Sequence, residues 1–213
     1  MKCLFCSSEA LPFIASGGLA EVSGSLPKAL NKLGDKCKVV IPLYEDIPQE
    51  LKKSLKFITS FFVPVSWRSQ YCGVFSAKYA GVEYYLLDNE FYFKRPGLYG
   101  YYDDAERFAF FSRAILEMLP RLNFKPDVIH ANDWQTALVP VYYSLMYAKN
   151  EWFQNIKTVF TIHNIEYQGK YGYEINENVV GLPVETLNVL DFDGCINFMK
   201  GAIECANVVT TVS

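Results

Sequence analysis

Two histidines, an aspartate and a pair of glycines are the residues of this sequence whose types and positions could support chemistry. His130 and His163 are its only histidines, and each follows an apolar, β-like run and precedes polar residues, in VIHAND and FTIHN. Gly17 and Gly18 lie between another such run and a helix-like pattern. Ligands of open α/β sheets bind beyond the carboxyl ends of the strands. One histidine alone would be better explained by a structural hydrogen bond, but both together with the glycines predict a shared crevice.

The glycine pair has two explanations. Two glycines ahead of a helix let the backbone approach a ligand, and they present free N–H groups where the helix dipole is positive, which suits a phosphate. A tight turn that requires positive φ explains the same pair. The next glycine is Gly24, so the dinucleotide-binding pattern G-x-G-x-x-G is absent, and no Gly-Lys-Ser/Thr ending marks a P-loop.

The elements that must position these residues alternate between strand-like and helix-like patterns. Strand-like runs at KCLFCSS, KCKVVIPLY, KPDVIHAND, IKTVFTIHN and NVVTTVS alternate with helix-like segments. These segments begin after Gly18, at Asp103 or Asp104 as N-cap, at Trp134 and at residue 195. Residues 57–88 are rich in β-forming residues, which predicts an antiparallel insertion that returns to the main sheet. The alternation predicts an α/β fold with a parallel sheet and helices on both faces.

Composition and charge argue against several classes of protein. Of 213 residues, 51% are apolar and 20% charged, which suits one large globular domain. The net charge of −3 argues against nucleic-acid binding. Without an apolar span of membrane length or a signal-peptide pattern, we expect a cytoplasmic protein that binds no membrane. Cys3 and Cys6 would point to opposite faces of a strand, and no second C-x-x-C completes a zinc site, so we expect six reduced thiols and no metal.

Four segments, taken in order, resemble the bacterial glycogen synthases and plant starch synthases. They are SSEALPFIASGGLAEVSGSLPKAL, RPGLYGYYDDAERFAFFSRA, PDVIHANDWQTALVPVYY and TIHNIEYQG. The resemblance runs over residues 1–213 and implies one Rossmann-like half of a two-domain, GT-B type fold. It identifies these residues as the N-terminal, acceptor-side domain, and none of the family's C-terminal nucleotide-binding domain is recognisable. We therefore expect a fragment that is inactive by itself.

The resemblance also implies a reaction. That family transfers glucose from ADP-glucose to the 4-hydroxyl at the non-reducing end of an α-1,4-glucan, with retention of configuration and without a metal or cofactor. The expected partners are therefore ADP-glucose and the glucan. Two alternatives stay open: a free-standing glucan-binding module, and half of a related glycosyltransferase that uses another sugar nucleotide, such as UDP-glucose.

Site residues follow from the resemblance position by position. His163 corresponds to the family's histidine against the donor glucose, which helps to stabilise oxocarbenium-like charge, although it could be a packed imidazole. Asp133 corresponds to an aspartate near the glucose and the acceptor, although it could instead cap the helix that follows. Tyr99, Tyr101 and Tyr102 in GLYGYY could stack on sugar rings or pack in the core. The remaining expected residues are Ser16, Gly17, Gly18 and Asn164 for the donor, and Glu21, Tyr99, Trp134 and Gln135 for the acceptor.

Three positions depart from the family's pattern. The common form of the glycine loop is Lys-Thr-Gly-Gly-Leu, whose lysine faces the donor phosphates, and this chain has Ala15 and Ser16 in its place. Loss of an ammonium group weakens the attraction for a diphosphate. Glu21 stands where the family usually has aspartate. We therefore expect a phosphate-side loop of reduced strength, and the identity of the donor nucleotide stays open.

Overall fold

One large sheet organises the chain. The computed structural model describes residues 1–212, and within them eight strands form this sheet and three more form a small one. The strands are β1 (Lys2–Cys6), β2 (Lys36–Pro42), β3 (Lys56–Val65), β4 (Arg68–Tyr79), β5 (Val82–Asp88), β6 (Val128–Asn132), β7 (Lys157–Ile162), β8 (Lys170–Tyr171), β9 (Asp191–Phe192), β10 (Cys195–Asn197) and β11 (Val208–Thr211). The α-helices are α1 (Gly18–Lys32), α2 (Gln49–Lys52), α3 (Glu90–Phe93), α4 (Asp104–Arg121), α5 (Leu138–Tyr142) and α6 (Phe198–Cys205).

The strand order of the large sheet is β11-β7-β6-β1-β2-β5-β4-β3. Neighbouring strands from β11 to β5 are parallel, whereas β4 is antiparallel to both β5 and β3. The predicted α/β fold with a small antiparallel part is confirmed. The antiparallel strands continue the main sheet at one edge, and a separate small sheet has the order β8-β10-β9.

Both faces of the sheet are covered at its centre. Successive residues of a strand point to opposite faces, and all four residues from Cys3 to Cys6 of β1 are at most 3% exposed. Helix α1 packs against β2 and β5, α4 against β3 and β4, and α5 against β6 and β7. Because β1, β6 and β7 are parallel neighbours, their carboxyl ends meet at one edge of the sheet. The segments that follow these three strands are thereby brought together.

One local expectation from the sequence is wrong, and another is confirmed only for the position of the residue. The segment predicted to be helical from residue 195 starts as β10, and α6 begins at Phe198 after the Asn197 side chain accepts a hydrogen bond from the amide of Lys200. Asp103 is the N-cap residue of α4, as expected, but within residues 1–212 its side chain makes no capping hydrogen bond. The carboxylate of Asp103 pairs with Arg95, and that of Asp104 pairs with Arg107. Ion pairs therefore occupy the carboxylates that could have capped the helix.

Gly169 packs closely against the side chain of Trp134. Its φ is +68°, and a Cβ added there would lie 2.8 Å from Cε3 of Trp134. We expect Gly169→Ala to lower the free energy of unfolding by about 2–4 kcal/mol, because left-handed backbone strain adds to overpacking. Urea denaturation measures this loss. Gly194→Ala is the matched control, since its φ is +74° but no atom lies within 4 Å of the added carbon. It should lose only about 1 kcal/mol, and equal losses would contradict the packing argument.

Candidate functional site

A cavity of about 860 Å³ lies beyond the carboxyl ends of β1, β6 and β7. Its walls come from the loop after β1, the start of α1, the segment before α4, and the residues that follow β6 and β7. Glu21 is exposed in the first turn of α1 and does not line the cavity. The expected site residues that do line it are Ser16, Gly17, Gly18, Tyr99, Asp133, Trp134, Gln135, His163 and Asn164.

The glycine pair forms the open start of α1. Gly17 has extended backbone (φ −164°, ψ −165°), and neither Gly17 nor Gly18 has positive φ. The tight-turn explanation is therefore wrong. A Cβ added at either position would meet no atom within 4 Å, so the glycines leave the backbone open to the cavity. Within residues 1–212 the N-cap residue makes no side-chain hydrogen bond to this helix, and the amide of Ala20 donates to Gly17 O at 3.3 Å. The amide groups ahead of Ala20 at the helix start can therefore meet an anion.

Glu9 holds the glycine loop, and the sequence analysis did not single it out. Its side chain is 3% exposed, lines the cavity, and accepts a hydrogen bond from the amide of Ser16. Ser7 donates to the main-chain oxygen of Glu9 at 2.7 Å. The sequence signal that could have identified Glu9 was its position in the polar residues that follow β1. A carboxylate at this place fixes the loop and also adds a negative charge behind it.

The cavity wall is acidic. Carboxylates of Glu9, Asp104 and Asp133 line it, and among the residues described by the structure no lysine or arginine does. Positive potential on this wall therefore comes from the amide groups at the start of α1. Ala15, at the position of the family's lysine, contributes no charge.

Tyr99 belongs to a segment that ion pairs hold in place. Its hydroxyl lies 2.7 Å from Oγ of Ser8, and burial, with the carboxylate of Glu9 acting in the same direction, raises the pKa of Tyr99. The hydroxyl is thus protonated at neutral pH. Arg95 binds Asp103 through two hydrogen bonds of 2.7 and 2.8 Å. Such bidentate pairs fix geometry, so the Tyr99 ring is presented to the cavity on an ordered backbone.

The two neighbouring tyrosines do not line the cavity. The ring of Tyr101 lies against the guanidinium groups of Arg95 and Arg107, at 5.1 and 4.9 Å from its centroid. Tyr102 is fully exposed. Of the three tyrosines considered for sugar stacking, the structure places only Tyr99 at the cavity.

Asp133 connects the ends of β6 and β7. Its Oδ1 accepts hydrogen bonds from the amides of His163 at 2.7 Å and of Asn164 at 3.2 Å. It makes no side-chain hydrogen bond to the helical turn that follows, so the capping explanation is wrong. Burial raises the pKa of Asp133, and the two amide hydrogen bonds oppose this shift. The carboxylate therefore fixes the residues after β7 while it lines the cavity.

The backbone of Asp133 is strained. Its φ of +56° and ψ of 178° belong to a region that is nearly restricted to glycine. Strain of about 1–3 kcal/mol at such a residue persists where surrounding contacts enforce it, and it concentrates at functional sites. Here the amides after β7 and the amide of Asp133 itself, which donates to Thr161 O at 3.0 Å, hold the conformation.

His163 presents a neutral imidazole to the cavity. Its Nε2 lies 2.9 Å from Oδ1 of Asn132. Burial lowers the pKa of His163, and the carboxylate of Asp133 acts in the opposite direction. Asn132 itself is fully buried and was not singled out from the sequence, although it lies in VIHAND. Two consecutive residues therefore hold His163: Asn132 binds its side chain, and Asp133 binds its main chain.

His130 lies outside the cavity. Its Nε2 is 2.6 Å from Oγ1 of Thr161, and its ring packs 4.7 Å from that of Phe5. Burial, with a smaller contribution from His163, lowers the pKa of His130 to about 4. The expectation that both histidines reach the crevice is wrong for His130, which makes a structural hydrogen bond within the sheet.

Trp134 and Gln135 form the base of the cavity. The indole packs edge-on against Phe108 at 5.2 Å and beside Phe198 at 6.5 Å, and it is 9% exposed. Trp134 therefore contributes as much to packing as to the cavity wall. Gln135 is 8% exposed, and its buried Oε1 has no hydrogen-bond partner among the described residues. A buried polar atom without a partner is an exception among native proteins, and it lies in a residue of the cavity wall.

Groups that could hold a metal or cross a membrane were also sought in residues 1–212. No cluster of three or more His, Cys, Asp or Glu side chains there is arranged to hold a metal ion. All six cysteines are free, and four of them are buried. None of the helices in this range has the length and apolar character needed to span a membrane.

Comparisons with known proteins agree with one another. The family model described as the starch synthase catalytic domain matches residues 2–213. Glycogen synthases of Desulforamulus reducens and Geobacillus stearothermophilus are 49% and 50% identical over 215 residues, and the alignments cover all of this chain and 45% and 44% of those proteins. The solved catalytic domain of Starch Synthase IV from Arabidopsis thaliana, bound to ADP and acarbose, has a TM-score of 0.90 and 31% identity. That match covers 99% of this chain and 44% of the other, so the chain spans less than half the length of these relatives.

Proposed function

The chain belongs to the starch synthase catalytic domain family, and we propose that residues 1–213 form the N-terminal, acceptor-side domain of a glycogen synthase. The proposed reaction transfers glucose from ADP-glucose to the 4-hydroxyl at the non-reducing end of an α-1,4-glucan, with retention of configuration. One observation carries this proposal: the cavity beyond β1, β6 and β7 gathers His163, Asp133 and the expected donor and acceptor residues other than Glu21, whereas His130 lies outside it. The ADP bound to the similar Arabidopsis domain supports a nucleotide-linked donor.

The donor diphosphate is assigned to the start of α1. Gly17 and Gly18 offer open backbone at the positive end of the helix dipole, which favours phosphate oxygens, and Ser16 lines the cavity beside them. Since this wall has carboxylates and no cationic side chain, most of the charge that neutralises a diphosphate must come from a second domain across the cavity. Asn164, at the far side of the cavity, completes the donor-side residues.

The reacting carbon of the sugar is assigned to the space between His163 and Asp133. A neutral imidazole and the dipoles around it can stabilise positive charge at the anomeric carbon when the cleft closes and excludes water. The Asp133 carboxylate can accept a hydrogen bond from a sugar hydroxyl, because its bonds to the protein amides involve only Oδ1. These two residues are the proposed catalytic pair.

The acceptor glucan is assigned to Tyr99, Trp134 and Gln135. The Tyr99 ring can stack on a sugar ring, and Trp134 and the amide side chain of Gln135 complete this part of the cavity wall. Glu21 would act from the outer side of the first turn of α1, where it is exposed. In this arrangement the acceptor lies against aromatic and amide groups, and the donor lies against main-chain amides.

Transfer of labelled glucose to maltooligosaccharides tests the proposal. We expect no transfer above background from the 213-residue chain, because half of the cleft is missing, and transfer from the product of the gene extended downstream through a second domain. ADP-glucose and UDP-glucose are compared as donors, and calorimetry with maltoheptaose measures glucan binding by the shorter chain. An extended protein that binds the glucan without transferring glucose would establish the binding-module alternative. A preference for UDP-glucose would establish a different donor specificity.

A further inference from the structure

The orientation of one buried amide determines where His163 carries its proton. Asn132 is 0% exposed, and its Nδ2 donates to Cys6 O at 3.0 Å and to His130 O at 3.2 Å. Main-chain carbonyl oxygens only accept hydrogen bonds. Turning the amide over would place its oxygen against two other oxygens and leave them without a donor. The NH2 group of Asn132 is therefore fixed toward β1 and β6.

The amide oxygen of Asn132 consequently faces His163. Oδ1 lies 2.9 Å from Nε2 of the imidazole. Because an amide oxygen has no hydrogen to give, the ring nitrogen must supply the proton of this bond. A neutral imidazole carries one proton, so Nδ1 is left unprotonated, with its lone pair free.

The charges around the ring favour this neutral form. Burial lowers the pKa of His163. The titratable groups that face it are Asp133, whose carboxylate opposes the shift, and His130, which burial keeps uncharged near neutral pH. Within the described residues, the hydrogen bonds of His163 involve only its main-chain amide and Nε2. Nδ1 is thus the one polar atom of the ring that is open to a ligand.

We propose that Asn132 is a positioning residue that holds His163 as the Nε2–H tautomer, so that the imidazole meets its ligand as a hydrogen-bond acceptor through Nδ1. The ligand group that fits this atom is a hydroxyl that donates its proton, as a sugar hydroxyl does. The identity of the ligand rests on the proposed function, whereas the tautomer does not. In this arrangement His163 orients a hydroxyl and delivers no proton during glucose transfer.

Nitrogen-15 NMR of the histidine rings in the 213-residue chain tests the tautomer directly. The chain has two histidines, so two ring systems appear in the long-range proton–nitrogen spectrum. We expect the Nε2 of His163 to show the shift of a protonated nitrogen at pH 7 to 8, and Nδ1 that of an unprotonated one. A protonated Nδ1, or two protonated nitrogens, would overturn the proposal without any variant.

Two variants and a control connect this tautomer to Asn132. Asn132→Leu removes the acceptor, so the Nδ1–H form should appear. Asn132→Asp keeps the acceptor oxygen toward His163 and adds charge, so where it folds Nε2–H should persist and the pKa of His163 should rise. It also replaces the NH2 group that Cys6 O and His130 O need, so we expect a lower free energy of unfolding. If neither variant folds, the nitrogen shifts of the unmodified chain still decide, because a protonated Nδ1 would contradict the contact. Thr161→Val is the control: it removes the partner of His130 and should change only that ring's signals.

Activity distinguishes positioning from a merely structural effect. In the extended protein, Asn132→Leu should lower kcat by about 10-fold with little change in the KM for ADP-glucose. The variant loses the one hydrogen bond that orients the His163 ring, and a loss of this size corresponds to about one hydrogen bond. Asn132→Asp should shift the acidic limb of the pH profile upward, because a charged ring cannot accept through Nδ1. A kcat unchanged in both variants would overturn the positioning role. If no transfer occurs at all while the NMR result holds, the proposed function fails and the tautomer assignment stands.

Discussion

Replacing His163 by alanine should lower kcat for glucose transfer by about 10²–10³-fold in the extended protein, with the KM for the donor changed by only a few-fold. The imidazole is assigned to the side of the donor sugar where charge develops, so its removal affects the transition state more than the bound substrate. The main-chain amide of His163 keeps its hydrogen bond to Asp133, so the backbone stays in place. Initial rates at varied ADP-glucose concentration measure both constants.

His130→Ala is the matched control because it removes the same side chain from a position outside the cavity. It deletes the hydrogen bond to Thr161 and the packing against Phe5. We expect a lower free energy of unfolding and a kcat per folded molecule close to that of the unmodified protein. Comparable losses of kcat in both variants would show that His163 has no special part in the reaction.

Asp133→Ala should lower kcat by a similar factor, about 10²–10³-fold, for a different reason. The variant removes the acceptor of two main-chain amides, so His163 and Asn164 lose their anchor as well as the carboxylate that faces the sugar. Asp133→Asn keeps an oxygen that can accept both amides and removes only the charge. The difference in kcat between the two variants therefore separates anchoring from charge.

Asp133→Gly completes this series through the strained backbone. It lacks the carboxylate, as alanine does, but glycine adopts φ +56° and ψ 178° without strain. We expect Asp133→Gly to be more stable than Asp133→Ala by about 1 kcal/mol while the two share the same low kcat. Urea denaturation and initial rates on the same preparations measure both. A full rate in Asp133→Gly would mean that the carboxylate has no part in the reaction.

The sequence predicted the strands and helices that are determined by local patterns of residues. Alternating apolar runs and helical periodicity identified the parallel strands, because each run must be covered on both faces wherever it lies in the sheet. Ligands of open α/β sheets bind beyond the carboxyl ends of the strands, and this rule predicted that Asp133 and His163 lie close together. They do so because β6 and β7 are neighbours. The resemblance of the motifs supplied the roles assigned to these residues. The sequence patterns and this family resemblance together therefore anticipated most of the cavity.

The contacts that the sequence analysis did not predict are made by side chains that reach other segments of the chain. Glu9 acts through Ser16, and Asn132 acts through carbonyl oxygens of β1 and β6, contacts that no local pattern encodes. Asp103 is the N-cap residue of α4, but its carboxylate binds the guanidinium of Arg95 and makes no capping hydrogen bond within the described residues. A tertiary partner overrides local propensity in each case. His130 lies inside β6, which continues to Asn132, whereas His163 lies one residue beyond the end of β7.

The carboxylates on the cavity wall have a consequence for how two substrates would enter the proposed enzyme. A sugar nucleotide brings negative charge toward the carboxylates of Glu9 and Asp133, whereas that of Asp104 is paired with Arg107. Among the described residues that line the cavity, the groups that attract the nucleotide are main-chain amide dipoles. An uncharged oligosaccharide experiences no such repulsion. This domain would therefore bind glucan at any ionic strength. Binding of the nucleotide would depend on closure of the second domain over the cavity. Closure would thus couple recognition of the donor to the exclusion of water.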